Sequence, residues 1–341
     1  MPAGFGPVAG LKVGHAQDER ALTGCTVLLW DGKNRSQRQD AQGMVAACEV
    51  RGGAVGEREL ETLRPGHLVE HIHALVLAGG SAFGIEAATG VMRWCEERGI
   101  GFDTGVARKG AKETIRVPIV PAAILFDLRL GDPKRRPDAA MGYAAAEAAF
   151  RAAPGAPVAE GNVGAGTGAT VGKLFGIERA SKAGIGCWTE ELPSGVSVAA
   201  LAAVNALGDI RDPDTRRILG GARASAGSRE FVDTAAAMRR GSVRTGFADP
   251  NTVLVAVATN AALTRLEAQR VAVMASAGMT RVISPAHTTL DGDALFALSL
   301  GAARADVNAL GAAAAEAVAR AIGRGVTQAR TAGGVLGAGS L

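Results

Sequence analysis

The chain has 341 residues, 48% hydrophobic and 21% charged, enough for a substantial core, which excludes a disordered protein. Glycine supplies 47 residues, close to double the usual ~7%, with no triplet period, and aromatic residues make up only 4%; collagen and low-complexity linkers are excluded and closely packed backbones implied. The net charge of +4 comes from 37 basic and 33 acidic residues that are scattered rather than interleaved with aromatics, so nucleic acid is not an expected partner.

The predicted elements alternate irregularly along the chain. Thr26–Trp30 reads as a strand stopped by Asp31-Gly32, Met44–Val50 as a second, and Ala74–Ala78 as a compact buried strand running into Gly79-Gly80-Ser81-Ala82-Phe83-Gly84. A helix is expected from about Ile85 to Arg98, then a long apolar strand from Ile119 to Leu128 interrupted near Pro121. An Ala-rich helix spans Asp138–Ala152, and a glycine-dense stretch runs from Gly161 to Gly176. Val196–Val204 reads as a strand ending at Asn205, and residues from about Asp212 to Phe247 as a polar, loop-like region. The strand Thr252–Thr259 precedes an amphipathic helix, Leu263–Met279, whose stripe is Leu266, Val271, Met274 and Ala275. Asp291-Gly292-Asp293 leads into the strand Ala294–Ser299, and an Ala-rich helix, Val307–Gly323, follows. This mixture predicts an α/β domain with substantial sheet, not a regular βαβ repeat, with no internal repeat or linker.

No charged segment followed by an apolar core opens the chain, and no apolar run approaches ~18 residues, so neither a secretory leader nor a membrane span is expected. The four cysteines, Cys25, Cys48, Cys95 and Cys187, form no CxxC pair, which fits reduced thiols in a cytoplasmic protein.

The glycine cluster Gly161–Lys173 fails as a phosphate loop, because Thr167 stands where Walker spacing needs Gly and Leu174 replaces the magnesium-binding hydroxyl. It fits only a relaxed dinucleotide pattern and lacks the strand–helix setting; a tight structural loop with a solvated Lys173 is the plainer alternative. Gly79–Gly84 resembles a nucleophile elbow around Ser81, but Phe83 stands where the second Gly belongs. His71-Ile72-His73 has no carboxylate-rich partner, so neither a metal nor another cofactor is expected. Asn251-Thr252 sits where a loop meets an apolar strand, which is either an ordinary strand start or a self-cleaving bond. In the second case an N→O acyl shift and hydrolysis leave Thr252 with a free α-amine, reference pKa ~7.7–8.0, able to act as base for its own hydroxyl. Such chemistry needs no histidine, and the chain has only five.

Four segments in order, Leu77–Gly84, Gly161–Lys173, Asn251-Thr252 and Asp291-Gly292-Asp293, make the chain resemble the DmpA/P1 family of self-processing aminopeptidases and amidases, over roughly Gly10 to Gly323. The resemblance implies a four-layer αββα sandwich like that of N-terminal-nucleophile hydrolases, shared with ornithine acetyltransferases. It also implies one such domain over residues 1–341, cleaved into an α-chain, 1–251, and a β-chain, 252–341. Thr252 matches the nucleophile, Asn205 the oxyanion-stabilising asparagine, and Lys173 a lysine that lowers the pKa of the Thr252 amine. Asp291 and Asp293 match an acidic pair that orients Thr252 or receives a substrate ammonium. Gly164, Gly166 and Phe126 are the candidate substrate contacts; family members often carry Tyr where Phe126 stands, and Val253 replaces a common second Thr.

The implied activity is hydrolysis of small peptides or amides, releasing N-terminal amino acids without cofactor or metal, in a cytoplasmic homotetramer. The rivals are an acyltransferase of the ornithine acetyltransferase type, a Ser81 hydrolase and a non-enzymatic Gly-rich ligand-binding scaffold.

Overall fold

A computed structural model of the chain describes residues 5, 8–32, 43–107, 109–110, 113–242 and 251–338. Two sheets lie face to face. The first orders its strands Leu11–Asp18, Thr23–Trp30, Ala74–Ala78, Ala122–Ile124 and Glu57–Arg58. The second orders Ile185–Leu192, Val196–Asn205, Thr252–Ala261, Ala294–Ala303, Met44–Val50 and His71–Ile72. Among the described residues five α-helices accompany them: α1 (Ala87–Glu96), α2 (Ala139–Arg151), α3 (Thr234–Arg239), α4 (Arg265–Val282) and α5 (Val307–Thr327).

Alternation along the strands separates three apolar layers. Leu28, Leu75 and Leu77 of the first sheet meet Leu201, Leu254, Ala256 and Phe296 of the second in the middle. Val27, Leu29 and Val76 face outward to Ala88, Val91 and Trp94 of α1 and Ala145 and Ala149 of α2. Val204, Val255, Val257 and Leu295 face the other way, to Val271 and Met279 of α4 and Val318 and Ile322 of α5. The result is the expected four-layer αββα sandwich. The central strands are covered on both faces, which is why Val196–Asn205 reads as one apolar run.

Small residues let the two helices of each outer layer approach closely. A Cβ at Gly142 of α2 would stand 1.9 Å from the Ala87 carbonyl oxygen of α1, and one at Gly278 of α4 would stand 2.2 Å from that of Ala315 in α5. Helices α2 and α4 start where side chains satisfy their first amides: Asp138 accepts from the Met141 amide, and Thr264 and Glu267 form a reciprocal capping box.

Several expectations are corrected. Gly80 and Ser81 adopt left-handed backbone (φ +80° and +56°), so a 3-10 turn, Ser81–Glu86, precedes α1. Only Ala122–Ile124 of the segment 119–128 is strand. Leu266 points outward, 63% exposed, and the buried stripe of α4 runs through Ala268, Val271, Ala272, Ala275 and Met279. The supposed loop from 212 holds the strand Ile218–Gly220 and α3, tied by buried Asp209 to the Ala222 and Thr234 amides; its last part, 243–247, lies outside the described residues. Among the strands absent from the prediction, Leu11–Asp18 and Ile185–Leu192 each form one edge of their sheet. Among the described residues no helix is long and apolar enough to cross a membrane.

Candidate functional site

Topology gathers the candidate residues at one end of the second sheet. Val196–Asn205 runs antiparallel to Thr252–Ala261, and its last residue, Asn205, is the register partner of Thr252. Ala294–Ala303 runs parallel to Thr252–Ala261, with Ala294 opposite Leu254. The turn Asp291-Gly292-Asp293 therefore reaches the same end, where Asn251 bridges to Asp291. Asn205, Asn251, Thr252, Asp291 and Asp293 are all buried.

The bond between Asn251 and Thr252 is held from two sides. Thr252 Oγ1 donates to the Asn251 carbonyl oxygen at 2.5 Å, and the Gly292 amide donates to the same oxygen at 2.6 Å. Only glycine fits at 292: a Cβ there would stand 2.8 Å from Thr252 Oγ1 and 2.5 Å from the Ala54 carbonyl oxygen.

The two carboxylates serve the backbone around this bond. Asp293 Oδ1 accepts from the Val253 amide at 2.8 Å. Its Oδ2 accepts from the His287 amide and lies 2.8 Å from His287 Nδ1. Asp291 Oδ1 accepts from the Leu207 amide at 3.2 Å, and its Oδ2 from the Thr288 amide and hydroxyl. Burial first, and the neighbouring Asp293 charge second, raise the Asp291 carboxyl to about 6.

Across the strand pair, the amide of Asn205 is gripped at both ends. Its Oδ1 accepts from Lys173 Nζ at 2.8 Å and from the Thr170 amide at 3.1 Å. Lys173 Nζ also donates to the Asn205 carbonyl oxygen at 3.0 Å. Asn205 Nδ2 donates to the Phe126 carbonyl oxygen at 3.0 Å. Phe126 thus reaches this site through its main chain, which any residue could supply. Lys173 is buried against Asn205, not a solvated loop lysine.

The glycines earlier in that loop have other neighbours. A Cβ at Gly164 would meet Thr26 Oγ1 at 2.3 Å and His15 Nδ1 at 2.5 Å; one at Gly166 would meet the Ile185 amide nitrogen at 2.4 Å. These contacts wedge the loop against the sheets, and only its end, Thr170–Lys173, reaches Asn205.

Two participants escaped the sequence reading. His287, held at φ +56° against Asp293, carries no local motif. The Gly292 amide is a main-chain group, and the only signal for it was the glycine between two aspartates. Three other imidazoles are directed elsewhere: His15 to Thr26, His67 to Glu61 and His73 to the Ile119 amide. Among the described residues no His/Cys/Asp/Glu group is arranged to hold a metal ion.

In structure the chain is similar to a Burkholderia sp. beta-aminopeptidase (TM-score 0.64, 22% identity, 99% of this chain and 92% of that one). It is similar also to the L-aminopeptidase D-Ala-esterase/amidase from Ochrobactrum anthropi, a variant of the Ntn hydrolase fold (TM-score 0.64, 18% identity, 96% and 86%). At these identities the likeness concerns the fold. In sequence it is 39% identical to an uncharacterised aminopeptidase of Mycobacterium tuberculosis (strain H37Rv), over 96% of this chain and 94% of that protein. It is 30% identical to the 6-aminohexanoate-oligomer endohydrolase of Kocuria sp. (strain KY2), over 85% of this chain and 73% of that enzyme. The model of peptidase family S58 matches residues 6–339. With that match over nearly its whole length, the chain belongs to peptidase family S58 and is a hydrolase.

Proposed function

We propose that the protein is a self-processing amide hydrolase whose nucleophile is Thr252. The observation that carries this reading is the Asn251 carbonyl, held between the Thr252 hydroxyl and the Gly292 amide. Oγ1 adds to the carbonyl carbon while the Gly292 amide stabilises the oxygen as it gains charge. The hydroxyl proton passes to the Thr252 nitrogen as the C–N bond breaks, leaving an ester between Asn251 and Thr252. Water hydrolyses the ester to an Asn251 carboxylate and a free Thr252 amine. The pieces 1–251 and 252–341 stay together, because the strand Thr252–Ala261 is hydrogen-bonded on both sides within the sheet.

In turnover the freed amine takes the Oγ1 proton, Oγ1 attacks the substrate amide, and the leaving amine departs with a proton from the Thr252 ammonium. Water, giving its proton back to Oγ1 through the Thr252 amine, then hydrolyses the resulting ester to release the acid. The second N–H of Asn205 Nδ2 serves the tetrahedral oxyanion. Lys173 acts on this step through Asn205, whose side chain it orients. Of the two roles open to Asp291 and Asp293, their hydrogen bonds to Val253, Leu207, Thr288 and His287 favour orientation of the Thr252 strand over capture of a substrate ammonium.

The names of the relatives favour small peptides or amides as substrates, with an N-terminal aminoacyl group first. Membership of a peptidase family favours neither the acyltransferase nor the non-enzymatic alternative. The reading extends to a cytoplasmic homotetramer of processed units, for light scattering and cell fractionation to test. Intact mass and N-terminal sequencing of purified protein test the central claim: two fragments, the smaller beginning at Thr252, with Thr252→Ala remaining one chain. An active wild-type chain that is never cut overturns it.

A further inference from the structure

Two of the buried ionisable side chains outside the machinery assigned above lie beside Asn205's partners. Lys182 has no exposed surface, and its Nζ donates to the carbonyl oxygens of Gly166 (3.2 Å), Ala169 (2.9 Å) and Ala183 (2.6 Å). Asp127, also buried, accepts from the Gly80 amide at 2.7 Å and from Thr23 Oγ1 at 2.8 Å. Burial lowers the Lys182 ammonium to about 7 and raises the Asp127 carboxyl to about 6, while attraction between the two opposes both shifts. Buried charges are costly, and apolar side chains of similar volume commonly replace them without loss of stability. Their placement beside the segments that hold Asn205 points to a positioning task.

That task is visible in what adjoins them. The Thr170 amide that holds Asn205 Oδ1 follows Ala169, whose carbonyl Lys182 grips. The Phe126 carbonyl that holds Asn205 Nδ2 precedes Asp127. The two segments also press on each other: a Cβ at Gly168 would stand 2.7 Å from Asp127 Cβ and 2.1 Å from the Leu22 carbonyl oxygen. We infer that Lys182 and Asp127 are positioning residues that lock these two segments together and so aim the amide of Asn205 at the reacting carbonyl. The inference rests on the reading of Asn205 as oxyanion donor.

The test compares wild type, Lys182→Met, Asp127→Asn, Asn205→Ala and Lys182→Met/Asn205→Ala on an amino-acid p-nitroanilide, with rates normalised to the cleaved fraction by intact mass. Lys182→Met and Asp127→Asn are each expected to lower kcat about 10- to 100-fold with little change in KM. Lys182→Met should cost nothing further once Asn205 is gone, whereas a general structural role would cost the same in both backgrounds. Unchanged kcat in both single variants, or additive losses, overturns the inference. Full activity in Asn205→Ala instead overturns the role of Asn205. Crystal structures decide the positioning independently of activity. If Thr170 and Phe126 still hold Asn205 as in wild type in both Lys182→Met and Asp127→Asn, the inference fails; loss of either contact supports it. Asp127→Asn keeps the question open to measurement should Lys182→Met not fold.

Discussion

Two loops meet at the Asn205–Thr252 pair, and they are built with opposite polarity. The loop ending at Lys173 is held by cations on carbonyl oxygens: Lys182 on Gly166, Ala169 and Ala183, and Lys173 on Asn205. The turn through Asp293 is held by anions on amides: Asp291 on Leu207 and Thr288, and Asp293 on Val253 and His287. The segment after Asn205 is shared between them. Its Leu207 carbonyl accepts from the Lys173 amide, and its Leu207 amide donates to Asp291. On the proposed mechanism, the first loop would direct donors toward the place where negative charge develops, and the second would fix the backbone that carries Thr252. A site can be made electrostatically lopsided in this way while its main-chain groups stay paired.

The largest expected effect comes from breaking the donor side. Asn205→Ala removes the side chain on which Lys173 and the Thr170 amide converge. Its kcat should fall about 10²- to 10³-fold with KM little changed, the signature of an interaction made in the transition state. Steady-state kinetics on the processed enzyme checks this; an equal rise in KM at constant kcat would assign Asn205 to ground-state binding.

Next come two glycines that look alike in sequence and differ in consequence. Gly292→Ala, on the acceptor side, puts a Cβ 2.8 Å from Thr252 Oγ1 and 2.5 Å from the Ala54 carbonyl, and should slow self-cleavage about tenfold or more. Gly164→Ala, at φ +52° and 2.3 Å from Thr26 Oγ1, should cost about 1–3 kcal/mol of stability and leave the cleavage rate of the folded chain near wild type. Time-resolved intact mass and thermal melts separate the two. The reverse pattern would move Gly164 into the substrate site.

The contrast also explains what the sequence could disclose. Val196–Asn205 and Thr252–Ala261 are covered on both faces, so residues 198–204 and 253–258 are continuous apolar runs, and the polar residues Asn205 and Thr252 stand out at their site ends. The outer strands Leu11–Asp18 and Ile185–Leu192 are covered unevenly, so their apolar pattern is diluted and they passed unread. The number of layers came from the family resemblance, because periodicity within an element does not say what it packs against. Lys182, Asp127 and His287 were illegible for a related reason: each matters through main-chain partners remote in sequence or through its own backbone conformation. The glycine spacing from 161 to 172 announced a close approach without naming the surface approached.

The smallest effect is a difference in pH slope between the two loops. Burial, with the Asp293 charge behind it, holds the folded Asp291 carboxyl at about 6, above the ~3.9 of an unfolded aspartate. The folded chain thus binds this proton more tightly than the unfolded one. The associated stability is fully present below about pH 4 and is lost as pH rises through about 6. Against Asp291→Asn, wild type should therefore lose stability between pH 4 and pH 6.5. Other raised carboxyls, such as Asp127 and Asp209, are present in both chains and cancel. Lys182 on the donor side has the opposite sign. Its ammonium is lowered to about 7 in the fold, below the ~10.4 of an unfolded lysine, so wild type should gain stability relative to Lys182→Met as pH rises from about 7 to about 10. Urea midpoints of the three chains across both windows measure the two slopes, and slopes of the same sign would refute the division of the site into an anion-held and a cation-held loop.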